Sequence, residues 1–227
     1  RDGEARLVIR RETDDDLRPI LDTSPAESTW LRGRDFDCDQ AILAVGGRVL
    51  DLRTPSGVVE DLYLPLHGAH QADNAAAALA AVEAFFGRQL AEPVVREGFA
   101  AVTSPGRFEI AGREPTVVLD AAHNVDGARA CRETLREEFT LGGPIIVVVG
   151  MLGGRDVAEM LTAIGAEEAG FLVACTPDSP RAIPAPEVAA VATSLGIVAE
   201  SVPSVVDAVE RARALASPDD LILVTGS

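Results

Sequence analysis

Cysteine is scarce in this sequence: Cys38, Cys131 and Cys175 are the only three in 227 residues, an odd number set far apart with no Cys-x-x-Cys pair. That count excludes a disulfide framework, gives no zinc ribbon, and fits a reducing cytosol. No apolar run approaches the roughly 20 residues that a membrane-spanning helix needs, and the opening Arg1-Asp2-Gly3-Glu4 is no signal peptide. A soluble, cytoplasmic chain without membrane contact is expected. No basic stripe interrupts a formal net charge of −16, so a phosphate backbone is repelled and nucleic acid is excluded as a partner. Two nucleotide signatures are missing as well. Residues 150–156 follow a strand-like run but do not fit Gly-x-Gly-x-x-Gly, and Gly-x-x-x-x-Gly-Lys-Ser/Thr occurs nowhere. The first absence weakens a simple nicotinamide-binding reading, and the second leaves these residues without a phosphate loop. The acidic run Asp14, Asp15, Asp16 reads as a solvated loop.

What is present is enough apolar material, 47% of the side chains, for one large domain or two small ones. Short strand-like runs at 6–10, 41–53 (broken by Gly46-Gly47) and 59–66 make the first 66 residues β-rich. An alanine-rich helix follows over 69–86, and a second over 93–102, with Pro93 where a first helical turn tolerates it. Thr103-Ser104-Pro105-Gly106 stops both helix and strand, which places a domain boundary near Ser104 and divides the chain into 1–103 and 104–227. Beyond it, apolar runs at 116–120, 144–150, 170–175, 197–201 and 221–225 alternate with amphipathic helices, the first over 125–139. Continuous Val, Ile and Leu runs fit strands buried on both faces. The expected fold is α/β, a Rossmann-like, doubly wound, mostly parallel sheet preceded by a β-rich and helical portion. Ligands of such sheets sit at the carboxyl ends of the strands, so the chemistry is sought at 120–124, 150–156 and 176–181.

Each of those segments, and two outside them, allows a functional and a plain reading. Asp120-Ala121-Ala122-His123-Asn124 joins a strand to a helix, where an anion or ribose can dock, yet Asp120 or Asn124 can equally just cap the helix. Arg107, in Pro105-Gly106-Arg107-Phe108-Glu109, offers a planar guanidinium to a phosphate or base, or simply pairs with Glu109. Gln71 and Asn74 lie three apart, on one helical face, and their amides suit an adenine edge. His67 and His70 lack a third ligand by spacing, so no metal is assigned to them. These residues alone reach a nucleotide-binding α/β domain and no further.

Taken in order, His70-Gln71-x-x-Asn74-Ala75, Pro105-Gly106-Arg107-Phe108-Glu109 and Asp120-x-Ala122-His123-Asn124 resemble the dihydrofolate synthase and folylpolyglutamate synthase family of the Mur ligase superfamily. Gly33-Arg34-Asp35-Phe36 before them and Ser179-Pro180-Arg181-Ala182 after them extend the likeness over nearly the whole chain. The resemblance implies an ATP-dependent ligase in which the carboxyl group of dihydropteroate, or of a folate glutamate tail, is phosphorylated and then attacked by the amine of L-glutamate. Residues 1–103 then correspond to the rear of the central ATP-binding domain and 104–227 to the C-terminal glutamate ligase domain. By the same likeness Asn74 meets the adenine, Arg107 and Asp120 bind ATP, catalytic His123 lines the nucleotide or phosphate region, and Ser179 and Arg181 hold substrate. The cofactors it implies are ATP and Mg2+, and a monomer is expected. Departures from the family pattern are Val125 where proline is usual, Ala121 for glycine, Ser104 for tryptophan and Arg155 for lysine. The family's phosphate loop, magnesium ligands and modified lysine are expected upstream of Arg1, so these residues alone are expected to be inactive. The rivals are a peptidoglycan-precursor ligase of the same superfamily and a nucleotide-binding module without catalysis.

Overall fold

The computed structural model of the chain describes residues 7–10, 28–140 and 142–226; the Asp14 to Asp16 run lies outside them. The chain divides into two compact units, one ending at Thr103 and the other beginning at Ser104.

In the first unit β1 (Leu7–Arg10) and β2 (Ser28–Leu31) pair in parallel, Leu7 opposite Ser28. An antiparallel meander follows, β3 (Asp37–Ala44), β4 (Gly47–Thr54) and β5 (Gly57–Leu64). The run expected over 41–53 is thus two strands, folded back at Val45-Gly46 where Gly46 has φ 76°. The sequence reading starts β3 four residues late because Asp37, Cys38, Asp39 and Gln40 carry no apolar pattern. Leu50 and Leu52 of β4 turn inward and pack on Ala72, Ala75, Ala76 and Leu79 of α1 (His70–Phe86) and on Val95 of α2 (Glu92–Ala100). Alanine suits that contact because it forms helix well and lets the sheet approach closely. Gly87, left-handed at φ 63°, ends α1. Buried Glu83 pins this helix end: its Oε2 accepts from Thr54 Oγ1 at 2.6 Å and its Oε1 from Leu90 N at 3.2 Å.

The second unit is built on a six-stranded sheet of β6 (Glu109–Arg113), β7 (Thr116–Asp120), β8 (Ile145–Gly150), β9 (Phe171–Cys175), β10 (Ala199–Val202) and β11 (Leu221–Gly226). Their spatial order is β10-β9-β8-β11-β7-β6, parallel throughout except for the antiparallel edge strand β6. On one face Val118, Val147, Val149, Leu172 and Leu223 meet α3 (Val125–Glu138), α4 (Val157–Ile164) and α5 (Ala185–Ser194). On the other, Val117, Ile146, Val148, Val173 and Ile222 meet Ala208 and Ala212 of α6 (Val205–Leu215). Burial on both faces is why these strands read as unbroken apolar runs. β6 escaped the sequence reading because its residues are largely exposed, with a glycine at position 112. Insertion of β11 between β7 and β8 spreads the loops that leave the carboxyl edge of the sheet.

The thiols of Cys131 and Cys175 lie within this core. Burial pushes both up, Cys131 with an added push from the negative charge of Asp120, and Cys175 rises from 9.0 to about 11. A thiol whose folded value is raised stabilises the fold fully below pH 9 and loses that contribution as pH climbs toward 11. Unfolding free energy is therefore expected to fall by about 2–3 kcal/mol across that window on account of Cys175. Denaturant titrations at pH 8 and 11, repeated with Cys175→Ala, check this, since the variant should lose that part of the pH dependence.

Candidate functional site

Three loops leave the carboxyl edge of the six-stranded sheet, after β7, β8 and β9, and hydrogen bonds tie them together. Asp120 closes β7, half-buried, with Oδ1 accepting from Ala122 N at 2.9 Å and Oδ2 from Phe108 N at 3.0 Å. The cap of α3 is Asn124 instead: its Oδ1 accepts from Gly127 N at 2.7 Å. Of the two residues that sequence offered as caps, Asn124 therefore takes the role and Asp120 organises the turn. Asn124→Ala should cost about 1 kcal/mol, read as a lowered thermal midpoint.

His123 is exposed, and its Nδ1 lies 3.0 Å from the carbonyl oxygen of Ala121. A carbonyl only accepts, so Nδ1 carries the hydrogen and Nε2 is an acceptor in the neutral ring. The loop after β8 reaches the same turn, because Arg155 Nε donates to the carbonyl oxygen of His123. Asp156 then caps α4 by accepting from Glu159 N at 3.0 Å. The loop after β9 joins on the other side, through Gly153 N to Arg181 O at 2.7 Å, Ile183 N to Met151 O at 2.8 Å, and a bridge between Leu152 and Ala182. Gly150 permits that junction, since a Cβ there would lie 2.8 Å from Pro177 Cγ. Ser179 shapes its own turn, with Oγ accepting from Arg181 N at 3.3 Å and its carbonyl from Ala182 N at 3.0 Å.

Arg107 stands beside Asp120 in the chain of contacts. The expected pair with Glu109 does not form, because Glu109 Oε2 accepts from Gly106 N at 2.8 Å. The exposed guanidinium groups of Arg107 and Arg181 have no partner among the described residues. These two arginines without a partner stand on linked loops that also carry Glu109, Asp120, Asp156 and Asp178, and a planar guanidinium of this kind suits an anion. Hydrogen bonds thus connect Arg107, Asp120, His123, Ser179 and Arg181 within the second unit. The link through Arg155 was missed by the sequence reading, which saw that residue only as a substitution for lysine. So was the left-handed conformation of Phe108, at φ 48°.

The remaining candidate lies in the first unit. Asn74, half-buried in the opening turns of α1, donates through Nδ2 to Oε1 of buried Gln71 at 2.9 Å, as the three-residue spacing implies. Next to it Asp73 accepts from Arg32 Nη2 at 2.5 Å, and Arg32 Nε reaches Asp37 at 3.1 Å. Among the described residues no group of three or more His, Cys, Asp or Glu is placed to hold a metal ion, and no helix is long and apolar enough to cross a membrane.

Comparison with known proteins adds independent findings. Residues 106–227 match the family model "Mur ligase, glutamate ligase domain". The chain is 54% identical over 126 residues to the dihydrofolate synthase/folylpolyglutamate synthase of Mycobacterium tuberculosis, covering 54% of this chain and 26% of that protein. It is 36% identical over 238 residues to a probable bifunctional folylpolyglutamate synthase/dihydropteroate synthase of Haloferax volcanii, covering 99% of this chain and 26% of that protein. The crystal structure of M. tuberculosis folylpolyglutamate synthase complexed with ADP and AMPPCP superposes with a TM-score of 0.90 at 38% identity, over 97% of this chain and 52% of that one. The chain therefore spans about half the length of that solved structure.

Proposed function

Because the chain belongs to the Mur ligase family, we propose that the full-length protein is an ATP-dependent ligase that joins L-glutamate to dihydropteroate, to the glutamate tail of folates, or to both. The observation that carries this reading is the linked carboxyl-edge surface, where the backbone on both sides of unpaired Arg107 is hydrogen-bonded to Asp120 and Ala121, the turn that leads to His123. In the reaction a substrate carboxylate oxygen attacks the γ-phosphorus of ATP and ADP leaves. The glutamate amine then attacks the acyl carbon, phosphate departs, and the amine gives up a proton. A carboxylate is a poor electrophile until one oxygen becomes a phosphate leaving group, and phosphoryl transfer is catalysed mainly by positioning and charge neutralisation.

The residues divide that work. Arg107 neutralises developing charge on the phosphates, with a planar fork suited to them. Asp120, whose carboxylate closes β7 at the carboxyl edge of the sheet, binds ATP. His123 lines the phosphate region with Nε2 open. Ser179 holds the turn that presents Arg181, whose guanidinium suits a substrate carboxylate. In the first unit the amide of Asn74 recognises adenine. Magnesium would spread the charge of phosphoryl transfer when bound, and we assign its ligands mainly to other parts of the full-length protein. We assign the protein to the cytoplasm and to a monomeric state.

The test is ATP turnover by the full-length protein with L-glutamate, comparing dihydropteroate and tetrahydrofolate as acceptors. Glutamate-dependent ADP release with one acceptor identifies its substrate. Absence of turnover with both sinks the folate reading and leaves a peptidoglycan-precursor ligase or a silent nucleotide-binding protein.

A further inference from the structure

The segment around Arg107 holds an arrangement that charge alone does not predict. In a chain of net charge −16, an arginine two residues from a glutamate and bonded through its neighbour to an aspartate is expected to pair with one of them. Neither pairing occurs. The peptide N–H before Arg107, that of Gly106, is taken by Glu109 Oε2 at 2.8 Å. The peptide N–H after it, that of Phe108, is taken by Asp120 Oδ2 at 3.0 Å. Gly106 O also accepts from Ala121 N at 2.7 Å, and Arg107 N donates to Ser104 O at 3.0 Å. The backbone is left-handed on both sides of Arg107, with φ 69° at Gly106 and 48° at Phe108. For phenylalanine that conformation is costly and persists only where surrounding contacts enforce it. Here they do: Phe108 is 3% exposed, and its ring lies 5.4 Å from that of Phe139.

We propose that Glu109 is a positioning residue for Arg107: its carboxylate holds the Gly106 amide, which fixes the turn and keeps that carboxylate from neutralising the guanidinium. The proposal rests on the reading that Arg107 meets the ATP phosphates. Glu109 itself touches no substrate. A charge-assisted bond to a backbone N–H is among the stronger local restraints, and its loss frees the glycine of a turn whose neighbour is already strained. The cost then appears at Arg107 rather than in global stability, because Glu109 is exposed.

A double-mutant cycle in the full-length ligase tests this, with Glu109→Ala, Glu109→Gln, Arg107→Ala and Glu109→Ala/Arg107→Ala, each followed by kcat, KM for ATP and thermal unfolding. Glu109→Ala should lower kcat/KM for ATP about tenfold with the thermal midpoint nearly unchanged. Glu109→Gln should stay within about twofold of wild type, because an amide oxygen still accepts from Gly106 N. In the Arg107→Ala background the Glu109→Ala change should have no further effect, since two residues that act as one unit are not additive. An equal loss in both backgrounds, or no loss in the wild-type background while Arg107→Ala is crippled, overturns the positioning role alone. If Arg107→Ala keeps full activity, the assignment of Arg107 to the phosphates falls and the present proposal with it. Titration with ADP repeats the cycle as an affinity, so a variant too slow to assay still gives an answer.

Discussion

Arg107→Ala in the full-length protein is expected to reduce kcat by about 100- to 1,000-fold, the range seen when one preorganised charge-stabilising group is removed from a transition state. The structural ground is that the guanidinium has no partner among the described residues, while the backbone on both sides of it is tied down by Glu109 and Asp120. Truncation therefore removes a charge that contributes nothing to the fold. Unfolding free energy should move by no more than about 0.5 kcal/mol, the ordinary range for exposed side chains. Arg107→Lys should restore only part of the rate, because an ammonium is a point charge without the planar fork. Initial rates at saturating ATP, paired with a thermal melt, decide the matter. A large loss of stability would make Arg107 a structural residue, and an unaltered rate would remove it from the site.

The largest effect on folding is expected at Gly47→Ala. Gly47 opens β4 and is buried, and a Cβ there would lie 2.1 Å from the carbonyl oxygen of Leu64 and 2.9 Å from Pro65 Cα. Both are backbone atoms of or next to β5, so no side chain can swing away. Relief requires the β4–β5 pairing, in which Arg48 faces Leu64, to open at that end. Leu50, Leu52, Leu62 and Leu64 of these strands form much of the buried cluster against α1, so a shift spreads into the core of the first unit. Overpacking of this kind costs about 3 kcal/mol or more. A denaturant titration should show a lowered midpoint, while Gly87→Ala, in open space though left-handed at φ 63°, should cost only about 1 kcal/mol. Equal effects at the two glycines would show that the close approach of Leu64 does not constrain the sheet.

How much of this was legible in the chain differs between the two units, for physical reasons. Apolar runs at 116–120, 144–150, 170–175 and 221–225 announced the parallel sheet because strands covered on both faces admit few polar residues. The observed strands β7, β8, β9 and β11 fall on those runs. In the first unit β2 and the opening of β3 carried no such pattern. Their residues are mixed or acidic, and no residue of β3 is buried on either face, with the adjacent Ile42 and Leu43 both about half exposed. β6 likewise left no mark, since an exposed edge strand needs neither run nor alternation.

For the site, local sequence specified that Asp120, His123 and Asn124 would meet at one strand end, because five consecutive residues cannot be far apart. It also specified that Gln71 and Asn74 would share a helical face, because the helical period dictates it. Sequence could not divide labour within those groups. Asn124 rather than Asp120 caps α3 since the Asp120 carboxylate is drawn to the amides of Phe108 and Ala122, the first of them twelve residues away. Glu109 is bound to Gly106 rather than Arg107 because a turn with φ 69° at its glycine aims that amide at it. Arg155 reaches His123 across β11, which enters the sheet between β7 and β8 from the far end of the chain. Periodicity and short spacing are encoded within a few residues and survive in one dimension; hydrogen-bond partners across separate loops depend on the order of strands in the sheet, which no local pattern contains.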